Sequence, residues 1–202
     1  MQLVGNLIIK SKNKIIEFLN QESTGRIASI DKNGFPQIIP MNFVFLDDVI
    51  YMHSHVKGEK LDNIKRNSKA GFEVDKNLEF LPSYFSDPED ASLADTFYIS
   101  VVIKGEAKIV ENKNEKVRAL NGLMKKYQPE GGYLPLTTDM EVLEHTAVIK
   151  VTPKQMNGKY KIGQNMNKKD KIDLANKILE RNSNTAKETL EIMGFGIEEG
   201  KA

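Results

Sequence analysis

The spacing of hydrophobic positions changes period several times along the chain. From Ser11 to Asn20, Ile15, Ile16 and Leu19 fall on one face of a 3.6-residue repeat, and Ser11 stands where a cap is needed, so this stretch predicts a helix. The period then shortens. Arg26 to Ile30 reads as a short strand, Asp31-Lys32-Asn33-Gly34 as a hairpin turn with Gly34 at positive φ, and Phe35 to Leu46 as a long extended segment. Pro36 and Pro40 cannot donate to a ladder, which places that segment on a sheet edge or at a bulge. Asp47-Asp48 is a second turn, and Val49 to His55 is read as the third strand of a meander.

Beyond Gly58 a short helix is predicted, with Leu61 and Ile64 as its inward pair. Ala70 to Asp75 reads as a strand, Asn77 to Asp95 as a long polar loop, and Phe97 to Val110 as a strand broken by Gly105. Val117, Leu120, Leu123, Met124 and Tyr127 keep helical spacing across Asn114 to Tyr127. Gln128 to Thr138 reads as a loop, and Ala147 to Thr152 and Gly158 to Ile162 as two further strands. From Lys168 the pattern is helical in two pieces, parted by Asn182-Ser183-Asn184. Strands joined mostly by hairpins, with helices inserted between them and at the ends, favour a mainly β (α+β) antiparallel barrel with peripheral helices over a doubly wound sheet. The expected division is a barrel over 1–165 and a helical appendage over 166–202. The appendage's apolar face of Ile172, Ala175, Ile178 and Leu179 is too small for a core of its own, so it should pack on the barrel or on a partner subunit.

Composition narrows the chemistry. The 202 residues include no cysteine, which excludes disulfides, thiolate metal sites and a cysteine nucleophile, and suits a reducing cytoplasm. Lys+Arg 29 against Asp+Glu 28 gives a net charge of +1, which argues against nucleic acid as a partner. No apolar run reaches the length of a membrane span, and Met1 to Lys10 shows neither a basic leader nor a cleavage site. The expectation is a cytoplasmic protein without a membrane partner.

The densest candidate for function is His53-Ser54-His55-Val56-Lys57-Gly58-Glu59-Lys60, which ends a strand and opens a helix. Such a junction offers unpaired N–H groups and the positive end of a helix dipole. Ser54 adds a hydroxyl, Lys60 a compact cation, and Gly58 room for close approach, a combination suited to phosphate. The same residues also fit an ordinary turn with solvated lysines. His53 and His55 are expected to point apart, and with three histidines in all, a metal site lacks a third ligand. A second candidate is Pro36 to Phe43, whose prolines leave backbone groups free to meet the edge of a planar heterocycle; an ordinary edge strand is the alternative. A third is Gly158 to Asn165, where Lys159 and Lys161 share a face and Gln164-Asn165 could cap the next helix.

Gly25 to Val44, Ile50 to His55 followed by Gly58 to Ile64 and Asn67, and Tyr98 to Val102 with Gly105-Glu106-Ala107 together resemble, in order and spacing, the pyridoxamine 5′-phosphate oxidase-like proteins. These are FMN-binding split barrels, and the branch most similar is that of the nitroimidazole-resistance proteins. The resemblance implies a homodimer with two FMN sites at its interface. It makes Lys60 and Ser54 phosphate ligands, with Arg26 a further candidate. It puts His53 and His55 beside the phosphate or ring, and frames the isoalloxazine with backbone groups of Ile39, Pro40, Met41 and Asn42. His53 is the best candidate for an acid or base on the general chemistry of histidine near neutral pH. Ser100 and the Lys161–Gln164 stretch are implied to approach from the partner subunit. The activity implied is reduction of a small organic acceptor, nitroaromatic or quinone-like, with electrons from NADH or NADPH. The alternatives are a flavin carrier or sensor, or a flavin-fold transcriptional regulator. The arginine-rich substrate-phosphate motifs of the pyridoxamine phosphate oxidases proper are missing, which argues against pyridoxine synthesis. Haem, bound elsewhere in the superfamily, would find only His145 as a spare axial ligand.

Overall fold

A computed structural model describes residues 5–196. In chain order the elements are α1 (Lys12–Gln21), β1 (Thr24–Ile30), β2 (Pro36–Asn42), β3 (Val44–Leu46), β4 (Val49–His55), α2 (Glu59–Arg66), β5 (Lys69–Leu81), β6 (Asp95–Ile109), α3 (Lys113–Tyr127), α4 (Val142–His145), β7 (Thr146–Lys161), α5 (Lys168–Arg181) and α6 (Ala186–Ile192). The chain divides into two compact units. The larger comprises Lys10–Val74 and Val101–Asn157, and the smaller comprises residues 5–9, 75–100 and 158–196.

All seven strands contribute to the larger unit, in the hydrogen-bonded order β2-β1-β5-β6-β7-β4-β3. β2 and β3 are thus the two edges of the sheet, yet Phe43 alone separates them in the chain. A flat seven-stranded sheet would hold its edges roughly 29 Å apart, whereas one residue spans at most about 3.6 Å. The antiparallel sheet must therefore curl until its edges meet, which makes a barrel split at Phe43. Phe43 is fully buried and packs edge-on against Phe72, their ring centroids 5.1 Å apart. Helix α3 clamps the split. The Tyr127 hydroxyl accepts the Phe43 N–H at 2.8 Å and donates to the Ser23 carbonyl. The Lys126 ammonium lies 3.7 Å from the centre of the Phe43 ring and donates to the Leu19 carbonyl at 2.9 Å. Burial lowers the Lys126 pKa to about 8. Ala119, Leu120 and Leu123 of α3 bury against Val44, Tyr51, Val110 and Val148, and each such leucine contributes ~1.5–3 kcal/mol.

The strands differ from several of the sequence-based expectations. Phe35 to Leu46 is two strands on opposite edges, and β4 pairs with β3 and β7 rather than completing a meander with β2. The prolines do lie on an edge, since β1 is the hydrogen-bonded neighbour of β2. β6 runs unbroken through Gly105. A Cβ there would stand 2.4 Å from the Thr152 carbonyl oxygen, so the glycine permits the close approach of β7. β7 is one continuous strand, and Pro153 is tolerated because the β4 ladder has ended at Val151.

In the smaller unit β5 continues to Leu81 through a stretch expected to be loop, burying Leu78, Glu79 and Leu81. The Glu79 carboxylate is 2% exposed and accepts from Arg181 at 2.9 Å, Ser183 at 2.5 Å and Thr185 at 2.6 Å, which ties down the turn between α5 and α6. Asn182, in the left-handed region at φ 50°, ends α5. Asn167 caps α5 by accepting the Asp170 N–H at 2.9 Å, in place of Gln164-Asn165. Ala175 and Ile178 are buried as expected, but Ile172 and Leu179 are exposed, and Leu174 takes the inward position.

Candidate functional site

The junction between β4 and α2 has the shape the sequence suggested, in the larger unit. Gly58 adopts φ 149° and caps α2 without a side chain, its carbonyl accepting the N–H groups of Leu61 and Asp62. The N–H groups of Glu59 and Lys60 lie ahead of the first intrahelical bonds. Lys60 is half-buried, and among the described residues it has neither an ion pair nor a hydrogen bond. Lys57 is exposed, and its backbone N–H reaches His55 Nδ1 at 3.2 Å. The Ser54 hydroxyl donates to the His55 carbonyl at 2.8 Å. β4 runs through His55, and side chains two apart on a strand share a face, so His53 and His55 point to the same side and are not splayed apart. Both are exposed. Among the described residues no cluster of His, Asp and Glu is arranged to hold a metal.

Edge strand β2 comes to this junction through α2. Gln37 donates to the Glu59 carboxylate at 2.5 Å, which turns that negative charge onto β2. Asn63, 1% exposed, donates to Gln37 at 3.2 Å and to Ser29 at 3.4 Å, and accepts from Arg66 at 2.8 Å; Arg66 in turn reaches the Ile30 carbonyl at 2.6 Å. The sequence reading missed this seam. Its signal was an asparagine between Leu61 and Ile64 on the inward face of an amphipathic helix. In β2, Ile39 and Met41 are half-buried while Pro40 and Asn42 are exposed, as strand alternation requires. Arg26 stands opposite Pro40 and opposite Glu73, whose carboxylate it meets at 3.2 Å.

Two residues before His53 on β4, Tyr51 anchors a polar network that the sequence also hid. Tyr51, on the same side of β4 as His53, donates to Glu115 at 2.9 Å and accepts from Arg118 at 2.9 Å. Burial, reinforced by Glu115, pushes the Tyr51 hydroxyl up to about 12. Burial opposes the Glu115 charge, but hydrogen bonds from Lys150 at 2.8 and 3.0 Å and from Tyr51 outweigh it and hold the carboxyl below its usual range.

Ser100, Lys161 and Gln164 belong to the smaller unit. Lys161 is ion-paired with Asp95. The Gln164 side chain donates to the Tyr160 carbonyl at 2.7 Å and the Asn6 carbonyl at 3.0 Å, and accepts the Ile162 N–H at 3.0 Å. His145 is exposed at the end of α4, 4.0 Å from Glu141.

The profile of the family described as pyridoxamine 5′-phosphate oxidase matches residues 11–160. The chain belongs to that family. No curated protein matches it. Among solved structures, a protein described as a 5-nitroimidazole antibiotic resistance protein from Bacteroides thetaiotaomicron is 24% identical, with 76% of this chain and 86% of that chain covered and a TM-score of 0.64. The flavocytochrome Anf3 from Azotobacter vinelandii is 15% identical, covering 80% and 72% with a TM-score of 0.67. The FAD and heme binding protein from Mycobacterium smegmatis is also 15% identical, covering 83% and 79% with a TM-score of 0.65. These likenesses establish the split-barrel fold. The pyridoxamine 5′-phosphate oxidase match takes in β2, β4 and α2 but stops before Lys161 and Gln164. Among the described residues no helix is long and apolar enough to cross a membrane.

Proposed function

We propose that this member of the pyridoxamine 5′-phosphate oxidase family is an FMN-binding oxidoreductase that passes electrons from NADH or NADPH to a small organic acceptor, nitroaromatic or quinone-like. One observation carries the reading: Lys60, half-buried and without an acidic partner among the described residues, stands in the first turn of a helix whose leading N–H groups are free of intrahelical bonds. Of the two first-turn carboxylates of α2, Glu59 and Asp62, that of Glu59 is turned onto Gln37. This donor set fits a phosphomonoester. The structural neighbours that bear flavin or nitroimidazole-resistance names share this barrel, which supports the same reading.

Lys60 and the Glu59 and Lys60 N–H groups would hold the phosphate, and the Ser54 hydroxyl could join them by rotating away from the His55 carbonyl. The open edge of β2, at Ile39 to Asn42, presents backbone groups to the rim of a planar heterocycle. His53, exposed on the same side of β4 as Tyr51, would be the residue to move a proton, since histidine is the side chain suited to acid and base work near neutral pH. The bound flavin would supply the redox chemistry. Ser100, Lys161 and Gln164 enter this proposal only through a partner subunit.

A visible spectrum of the purified full chain, taken before and after anaerobic NADPH and then NADH, tests the reading. The expected result is a yellow protein that bleaches and recovers its colour when a nitroaromatic or quinone is added. A yellow protein that neither nucleotide bleaches would make it a carrier or sensor. A colourless protein that takes up no added FMN would remove the proposal.

A further inference from the structure

The smaller unit contains a cavity of about 480 Å³, a size within the range of small-molecule sites. Its body is apolar, walled by Leu81, Phe85, Phe97, Met166 and Leu174, with Leu93 at the surface. Gly163, at φ 72°, forms one corner; a Cβ there would come within 3.0 Å of Met166 Sδ and 3.2 Å of Phe97 Cζ, so only glycine leaves that corner open. The wall from Gly163 to Lys177 lies beyond residue 160, where the family match ends. The opposite wall, from Leu81 to Phe97, lies within the match.

Its charge is lopsided. Three carboxylates line it, Asp95, Asp170 and Asp173, against two ammonium groups, Lys161 and Lys177. Both lysines are engaged. Lys161 pairs with Asp95, while Lys177 pairs with Asp173 at 2.8 Å and donates to the Phe85 carbonyl at 2.6 Å. An anion entering the cavity would find no free cation. Asp170 is the lining carboxylate without a cationic partner among the described residues, its side chain accepting from Asn167 at 2.7 Å. We infer that this cavity of the smaller unit takes a small lipophilic cation, an aromatic or aliphatic body in its apolar part and an ammonium group against Asp170. Lys161 and Gln164 also line it, so where a partner subunit brings those two residues to the flavin, as proposed above, the cavity adjoins the flavin site.

Tryptamine is a suitable probe, because the chain contains no tryptophan and all indole fluorescence belongs to the ligand. Anisotropy titration of the full chain should show saturable binding of tryptamine, and at least about tenfold weaker binding of indole-3-acetate, which keeps the ring and reverses the charge. Asp170→Asn, which retains the backbone N–H that Asn167 caps, should weaken tryptamine roughly three- to tenfold. Leu93→Lys, which adds a cation at the mouth on an exposed position, should weaken it at least about tenfold. The inference is overturned if tryptamine fails to bind at millimolar concentration, if indole-3-acetate binds equally well, or if either variant binds tryptamine like the parent. In the last case the amine sits elsewhere on the protein. None of these outcomes bears on whether the chain takes up FMN.

Discussion

Lys57 and Lys60 carry the same charge three residues apart, but the fold treats them differently. Lys57 precedes Gly58 and is exposed, whereas Lys60 is half-buried in the first turn of α2, where its ammonium and the leading N–H groups can converge on one phosphate. A charge-assisted contact of that kind contributes ~1.5–3 kcal/mol, and each 1.4 kcal/mol is about a tenfold change in affinity. Lys60→Ala should therefore raise the FMN dissociation constant about ten- to a hundredfold. Lys57→Ala should change it little, through long-range attraction that salt screens. Flavin fluorescence titration of both variants at matched salt decides the matter, because each removes one positive charge. Equal losses would mean that general charge attracts the flavin. At this scale the sequence displayed the glycine, the serine and the lysine of the junction, since each is a local signal. It concealed Asn63 and Tyr51, whose roles depend on partners in other elements: Gln37 and Ser29 for the first, Glu115 and Arg118 for the second.

Elements were legible where both ends carry local chemistry. Ser11 before α1 and the leucine spacing of α3 marked helices that the structure contains, and Asp31 to Gly34 marked a true hairpin. Strand ends were less legible, because a strand stops where its neighbour stops, and neighbours are distant in sequence. β5 continues beyond Asp75 and β7 through Pro153 for that reason. Gly105 shows the same limit. A glycine inside a strand pattern reads as an interruption, but here it is the contact that lets β7 approach β6. Gly105→Ala should destabilise the protein by about 1–3 kcal/mol, because the new Cβ meets a backbone carbonyl that cannot swing aside. Gly71→Ala is the matched control: its Cβ would meet Ala28 Cβ at 3.5 Å, an ordinary contact, and should be neutral or slightly stabilising. Urea denaturation midpoints of the two variants provide the comparison. Loss of stability in both, to the same degree, would show that any side chain is costly in these strands and that the approach to Thr152 is not special.

At the scale of the molecule, barrel closure was the feature that local reading missed. The run from Pro36 to Leu46 looks like one strand, and its assignment to both edges of a curled sheet follows only from the pairing of β1 with β2 and of β3 with β4. Closure at Phe43 still leaves β2 with one hydrogen-bonded neighbour and an apolar outer face. Phe35 and Ile38 are 69% and 61% exposed, and Pro36 and Pro40 are exposed beside them. An open edge carrying large exposed apolar side chains invites self-association, and natural edges without that purpose are commonly blunted with charge. We predict that the full chain is a homodimer covering this face and that flavin affinity depends on the pairing. In a two-fold interface every lost contact is lost twice. Ile38→Lys would forfeit ~1.5–3 kcal/mol of burial per copy, so the dimer dissociation constant should rise by about a hundredfold or more. Sedimentation velocity over a dilution series measures that constant, and flavin titration at the same concentrations measures the coupling. A parent chain that stays monomeric while binding FMN tightly would refute the prediction, as would an Ile38→Lys variant that dimerises as the parent does. A variant that turns monomeric with undiminished flavin affinity would show that one subunit completes the site, and would remove Ser100, Lys161 and Gln164 of a partner from any part in it.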